Sequence, residues 1–309
     1  MKRLRPAAVA VAVLATAVGA AGCNDTASSG AGKAVSDQLK ADTSNWPAAT
    51  PQQGLAKGLS LPLEEYMQTY EQTVVIAQAV RNLQSQCMAR FGFDFRPPPA
   101  GNTPPPNDND ANIERRYGIS DRTIAEKHGY GLGEPQQTGT RMPAISKAAM
   151  VVLSGRSSGE KNAKAATSYQ GKDIPEGGCS KWAIDRIGAG DLDFSLAGKL
   201  NQESLIRSQE SPEVSAALKK WSACMKEKGY TVDLPFNAVD LAPVEGSQKQ
   251  IQVATADIDC KKSTDLVKIW FGQDAGLQRQ QIDENQLALE EAKKKNDSAV
   301  KAAEKALRS

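Results

Sequence analysis

Two passages of this chain share one layout, and that layout constrains how the rest can fold. Cys87-Met88-x-x-x-Gly92-Phe93-x-Phe95 is matched by Cys224-Met225-x-x-x-Gly229-Tyr230-x-Val232. Each closes an amphipathic helical pattern. The glycine is placed as a left-handed cap, and the aromatic directly after it can fold back onto the last turn. One further cysteine follows each passage, Cys179 and then Cys260, and each is read as lying near the start of a helix. Four cysteines allow three pairings; the repeat favours Cys87–Cys179 and Cys224–Cys260. On this reading each bond closes a half-domain and contributes about 3–5 kcal/mol by restricting the unfolded chain. A redox pair or a zinc site is disfavoured. No two of these cysteines stand in C-x-x-C spacing, and the one histidine, His128, has no cysteine neighbour.

The fifth cysteine, Cys23, belongs to a different pattern. Lys2, Arg3 and Arg5 precede an apolar run from Ala7 to Val18, and the run closes on Ala20-Ala21-Gly22-Cys23. A run this short does not span a bilayer, and its flanks are those of an export leader that is cut off. A small residue before cysteine is what lipoprotein signal peptidase requires, and the Cys23 sulfur then carries a diacylglyceryl group. Ala20 departs from the commonest pattern, which has Leu there. The competing reading is an ordinary secretory leader cleaved after Ala21 or Gly22, leaving a free thiol. Two acyl chains suffice for stable attachment, so the expected location is the outer face of the cell membrane. Export also makes two disulfides the natural use of the other four cysteines. Loss of the leader's three basic residues takes the formal charge from +2 to about −1, with no basic excess to suggest nucleic acid.

Four segments are expected: a signal peptide over 1–22, a flexible linker over 23–58, a helical domain over 59–275, and an exposed C-terminal helix over 276–309. The linker is rich in Ala, Ser, Gly, Asp, Thr and Gln and shows no apolar period. Ile76, Val80, Leu83, Cys87 and Phe91 mark one face of a helix running from Glu64 to Phe91. A short helix is expected near Ser120–Lys127, and another from Ser146 to Leu153 with Gly155 as its cap. A further helix opens at Gly177-Gly178-Cys179, and one starts at Ser211-Pro212-Glu213 and ends at Gly229. From Ser247 the chain reads as helix almost to its end, its apolar marks thinning after Leu289. No segment alternates with period two. The fold class is therefore mainly α, a disulfide-stabilised helical domain with a long C-terminal helix.

The order Cys-Met-x-x-Phe-Gly-Phe-Asp from Cys87, Tyr-Gly-Ile from Tyr117, Ile-Pro-Glu-Gly-Gly-Cys from Ile174, Trp-Ser-Ala-Cys-Met-Lys-Glu-Lys-Gly-Tyr from Trp221, and Val-Ala-Thr-Ala-Asp-Ile-Asp-Cys from Val253 resembles a group of uncharacterised actinobacterial, streptomycete-type secreted lipoproteins. The resemblance runs from about Leu61 to Leu289. It implies export, lipid anchoring and a mostly helical disulfide-bonded domain, and it carries no activity to transfer.

Few motifs promise chemistry. Gly155-Arg156-Ser157-Ser158-Gly159 fits G-x-S-x-G, but that fold needs a general-base histidine after the serine, and His128 lies before it. A glycine-capped helix end running into a loop is the better reading. His128 itself reads as a surface loop residue whose functional role, if any, is a pH-responsive contact. Glu64 and Glu65 are adjacent and share no helix face; at a helix start they complement the dipole. Asp94, between Phe93 and Phe95, is a candidate binding residue, against the blander reading of a loop acid holding local amides. No catalytic residue, metal site or cofactor is assigned. The expected function is a non-enzymatic binding or interaction module tethered to the envelope. Its expected partner is a transporter, another envelope protein or cell-wall glycan, met through the C-terminal helix or a groove between helices. The Leu266–Leu287 stripe, outrunning the last cysteine, favours a protein partner. A secreted hydrolase with a serine or carboxylate site is the alternative.

Overall fold

The structure is a computed structural model describing residues 43–44, 46–102, 104, 113–132, 142–158 and 162–308. The leader, Cys23 and most of the expected linker lie outside the described residues. The chain begins its regular structure with a 3-10 turn, Pro62–Tyr66, followed by α1 (Tyr70–Arg90), α2 (Arg122–His128) and α3 (Lys147–Ser154). A two-residue hairpin, β1 (Ser168–Tyr169) with β2 (Lys172–Asp173), pairs Ser168 with Asp173. Then come α4 (Gly178–Arg186), α5 (Ser195–Gln209), α6 (Pro212–Glu227), α7 (Gln248–Ser263) and α8 (Leu266–Arg308). The fold is mainly α, with a long C-terminal helix and disulfides Cys87–Cys179 and Cys224–Cys260.

The two repeated passages form the same helix ending. After α1, the Gly92 amide donates to the Ala89 carbonyl and the Phe93 amide reaches back to Met88. After α6, Gly229 donates to Lys226 and Tyr230 to Met225. These are the paired bonds of a Schellman ending, with both glycines left-handed at φ +81° and +88°. Met88 and Met225 occupy equivalent positions and are fully buried. The partners of the two helices are not equivalent. Cys179 is the second residue of α4, but Cys260 lies near the C-terminal end of α7, so the expectation that both sit near helix starts fails for Cys260. The repeat is a repeated helix end, not a repeated half-domain.

Helix boundaries follow their caps. Ser146, Ser211 and Ser247 each accept a backbone N–H three residues on. The helix expected from Glu64 is split. Thr69 and Gln72 form a reciprocal capping box that starts α1 at Tyr70, and Met67 is extended behind it. The run from Ser247 breaks at Asp265, whose φ is +52°, and α8 kinks at Asn285, where the side-chain amide donates to the Gln281 carbonyl.

α8 spans about 65 Å by helical rise and touches most of the core. Its first turns bury Leu266, Val267 and Trp270 against α6 and α7, with Trp221 and Tyr117. Its middle buries Leu289 with Leu63 and Tyr66, and its end buries Ala303 against α1, beside Val75, Ala79 and Leu83. Asn296 exchanges two hydrogen bonds with the backbone of Asp193. The chain beyond 276 is helical as expected but is not exposed all round, since Gln278, Gln281, Leu289, Asn296, Ala299 and Ala303 pack one face of it onto the domain. The tail packs back through alanines, whose small size lets two helices approach while leaving little apolar signal in the sequence. Of the stripe offered as a partner surface only Leu287 stands out, 88% exposed. The linker also ends sooner than expected. Trp46 donates to the Gly101 carbonyl and sits edge-on to Tyr70, Leu55 donates to Ser120, and Ala56 is buried. One tryptophan and two aliphatic anchors order a stretch whose composition is otherwise polar.

Removing both Cys87 and Cys179 by alanine substitution is expected to cost about 4–5 kcal/mol, and removing Cys224 with Cys260 slightly less, about 4 kcal/mol. The bonds close loops of 92 and 36 residues. Urea unfolding without reductant measures both, and an order reversed between the two pairs contradicts the loop-entropy account.

Candidate functional site

A cleft of about 690 Å³ opens beneath the Pro62–Tyr66 turn. Its walls come from separate parts of the chain: Thr50, the turn with Ser60, Leu61 and Glu64, the link to α1, the segment carrying Ile113, Arg115 and Arg116, and Asn201 and Leu205 of α5. Two buried polar residues one turn apart on α8, Asp274 and Gln278, hold these walls together. The Asp274 carboxylate takes Arg116 Nε at 2.6 Å, Arg116 Nη2 at 3.1 Å and the Tyr117 hydroxyl at 2.9 Å. Arg116 Nη2 also donates to the Asn201 carbonyl and the Ser204 hydroxyl. Gln278 Oε1 accepts the Leu63 amide, and its Nε2 donates to Asn201 Oδ1 and Ser204. One face of α8 thus fixes the turn, the 113–117 segment and α5 relative to each other.

A second buried cluster backs the arginine wall. Lys261 and Asp257, one turn apart on α7 and fully buried, pair at 3.1 Å. Lys261 also donates to the Ile119 carbonyl, while Asp257 accepts from Trp221 Nε1 and the Tyr130 hydroxyl. Burial pushes the Asp257 carboxyl upward and the Lys261 ammonium downward, each drawn back by the other's charge. Gly118, at φ +81°, lies so close that a Cβ there would meet Lys261 Nζ at 2.8 Å. Arg115 spends its two terminal nitrogens on the carbonyls of Tyr130 and Gly131.

Glu64 is the unusual group in the cleft. Its Oε2 accepts from the Ser60 hydroxyl at 2.6 Å, and its Oε1 is buried without a partner. Burial pushes its carboxyl above the ordinary range, opposed by the bonds from Ser60 and the Leu61 backbone and by the charge of Arg116. Glu65, its neighbour, pairs with Lys293 at 3.3 Å.

The residues singled out by sequence lie elsewhere. Asp94 is 75% exposed at its side chain, pairs with Arg96 at 2.7 Å, and is not among the residues lining this cleft. His128 ends α2 half-buried, its carbonyl accepting from Gly131. Ser157 is exposed on the loop after α3, its amide bonded to the Lys164 carbonyl. Val151, Val152 and Leu153 before it are helix, not the strand of a nucleophile elbow. Gly155 has a packing reason: its left-handed backbone lies against Gly177 and Gly178, where a Cβ would collide. Glu64 and Arg116 were missed because their meeting depends on contacts across the chain. Asp274 and Gln278, polar and spaced i, i+4 beside the apolar marks of a helix, were the available signal. Among the described residues no group of three or more His, Cys, Asp or Glu could hold a metal ion, and no helix is long and apolar enough to cross a membrane. No protein-family model, curated protein or solved structure matches the chain.

Asp274→Ala leaves the Arg116 guanidinium buried without its carboxylate and is expected to cost about 3–5 kcal/mol by chemical denaturation. Gln278→Ala, which strands the Leu63 amide, costs about 1–3 kcal/mol. Glu64 gives a pH signature. With its folded pKa raised, the folded state holds the proton more tightly, so stability falls as pH rises from the ordinary carboxyl value through the raised one. Glu64→Gln removes that slope. Its stability relative to the native protein is expected to improve between pH 4 and pH 7, and parallel pH profiles for the two proteins contradict this.

Proposed function

We propose that this chain is an exported, lipid-anchored cell-envelope protein that acts by binding, with the cleft beneath Pro62–Tyr66 as its binding surface. The observation that carries this reading is the fate of the cysteines. The four after Cys23 are consumed in two disulfides. That usage suits an oxidising compartment outside the cytoplasm and leaves Cys23, at the end of an export leader, for the lipid. The resemblance to streptomycete-type secreted lipoproteins implies the same address.

One face of the tail helix is taken up by the core, so this reading moves the binding role to the groove between elements. The cleft suits that role. It has the volume of a small-molecule site, an apolar strip from Leu61, Ile113 and Leu205, and a few convergent polar groups. Glu64 and Arg116 are placed to orient a ligand. Ser157, the serine of the hydrolase alternative, stands on an exposed loop that is not among the residues lining the cleft. The ligand comes from the envelope or its surroundings: a wall component, a transported solute, or a segment of a neighbouring protein.

Mass spectrometry of the protein extracted from membranes tests the anchor. The expected N-terminal peptide starts at Cys23 and carries a diacylglyceryl group, and Cys23→Ala releases the protein into the medium. An unmodified N-terminus at or near residue 23 overturns the lipid-anchored reading.

A further inference from the structure

The pair behind the arginine wall, Lys261 and Asp257, has no exposed side-chain surface on either partner. Lys261 Nζ stands 3.1 Å from Asp257 Oδ2 and donates to the Ile119 carbonyl at 2.8 Å. Gly118 closes in on the same nitrogen, so that a Cβ there would meet Nζ at 2.8 Å. The two carboxyl oxygens are held separately. Oδ1 accepts from Trp221 Nε1 at 2.9 Å, and Oδ2 accepts from the Tyr130 hydroxyl at 3.2 Å. One nitrogen is thus pinned at the edge of one carboxyl group, with a different donor on each oxygen.

Two charges sealed from water are costly, and moving one proton from Nζ to Oδ2 removes both. Burial drives the Asp257 carboxyl upward and the Lys261 ammonium downward, and the nearby charge of Arg115 adds to the second. What results is a free amine facing a carboxylic acid, a nucleophile and an acyl carbon held together without solvent. The Nζ lone pair adds to Cγ. Charge gathers on Oδ1, where the Trp221 N–H stabilises it as an oxyanion-hole donor does. Nζ passes one proton to Oδ2, the Cγ–Oδ2 bond breaks with Tyr130 donating to the departing oxygen, and one water leaves. Acid and amine become amide and water, with no oxidant, reductant or further reagent. The product keeps its partners, since the amide oxygen retains Trp221 and the amide N–H retains the Ile119 carbonyl. Tyr130 gives up its acceptor, which a half-buried hydroxyl replaces with solvent.

We propose that Lys261 Nζ and Asp257 Cγ join in an isopeptide bond, a covalent bridge across one turn of α7 that the folded chain makes on itself. The bridge stands next to Cys260, so α7 is tied covalently at adjacent residues, within itself at Lys261 and to α6 at Cys260. A buried ion pair is undone by acid or strong denaturant; an amide is undone by neither. The backing of the arginine wall then becomes permanent.

Tryptic mass spectrometry of the full chain, expressed with its leader, purified and reduced, tests this. Trypsin cuts after a free lysine but not after one whose nitrogen is an amide. The expected peptide starts at Gln250, after Lys249, and reads through Lys261 to Lys262. It is lighter than its sequence by one water and yields no fragments from the backbone between Asp257 and Lys261, because the bridge holds the pieces together. A peptide of residues 250–261 at full mass, cut after Lys261, overturns the proposal. A lost water with the cut after Lys261 intact marks an imide instead and overturns it too. Lys261→Gln is expected to return the 250–262 peptide at full mass, and a water missing there also places the loss elsewhere. Tyr130→Phe, shown to be folded by circular dichroism, removes the donor to the leaving oxygen. In a pulse-labelled time course it is expected to slow bridge formation about 100-fold, and an unchanged rate overturns the part given to Tyr130.

Discussion

The buried pair of Arg116 and Asp274, with Gln278 one turn further along α8, is the interaction on which the arrangement of the molecule depends. Burying two charges is expensive, and an ion pair in a core is weak evidence of stability. Here the partners are almost completely engaged. Asp274 receives three hydrogen bonds, while Arg116 Nε is satisfied on α8 and Nη2 on both α5 and α8. The geometry cannot be met by another register of α8, because a shift of one residue would swing Asp274 and Gln278 by about 100° around the helix. What the pair supplies is position. It sets which turn of α8 meets the 113–117 segment, which meets α5, and which meets the Leu63 amide.

This fixes how the cores relate. α8 contributes to the apolar clusters around Trp221 and Trp270, around Leu63 and Tyr66, and around Ile76 and Ala303, and α5 joins the first two through Leu205 and Leu200. Cys224–Cys260 joins α6 to α7 inside the first of these clusters, and Cys87–Cys179 joins α1 to α4 inside a further one with Met88, Phe91 and Val152. Each limits the unfolded chain within its own cluster, and neither crosses between them. The element common to the first three clusters is α8, held in register by polar contacts that tolerate little sliding. The repeated Schellman endings fit this division. They terminate the two disulfide-bearing helices in the same way, leaving each cysteine one residue before a fully buried methionine.

The parts of this architecture that were legible in sequence are those governed by local rules. Ser146 with Gly155, and Ser211-Pro212 with Gly229, bound their helices because caps and left-handed glycines act within a turn. The disulfide pairing followed from the cysteine layout, although the placement of Cys260 did not. α5 escaped notice because it buries Ala197, Ser204 and Ser208 beside a single leucine, Leu200, and so shows hardly any apolar stripe. The tail was misread for the same reason. Ala299 and Ala303 bury well and weigh little in a periodicity argument. The cleft was out of reach for a different reason. Glu64, Arg116 and Asn201 come together only after α8 has been placed, and adjacency to Glu65 made Glu64 look like an ordinary helix-start acid.

Both sides of the cleft are anchored on α8, and this bears on how it can work. The arginine side is tied twice over, by Asp274 and by the Asp257–Lys261 cluster, which holds Ile119 and Tyr130 on α7. Its donors are fixed before any ligand arrives, so little ordering entropy remains to be lost there. The Pro62–Tyr66 turn is held by the burial of Leu63 and Tyr66, by the bond from its Leu63 amide to Gln278, by Tyr66 on Glu290, and by Lys293 on both the carbonyl and the carboxylate of Glu65. It is also the element bearing the unsatisfied carboxyl. With both walls anchored on α8, the desolvated Glu64 oxygen is a fixed cost of about 1–3 kcal/mol that these contacts offset.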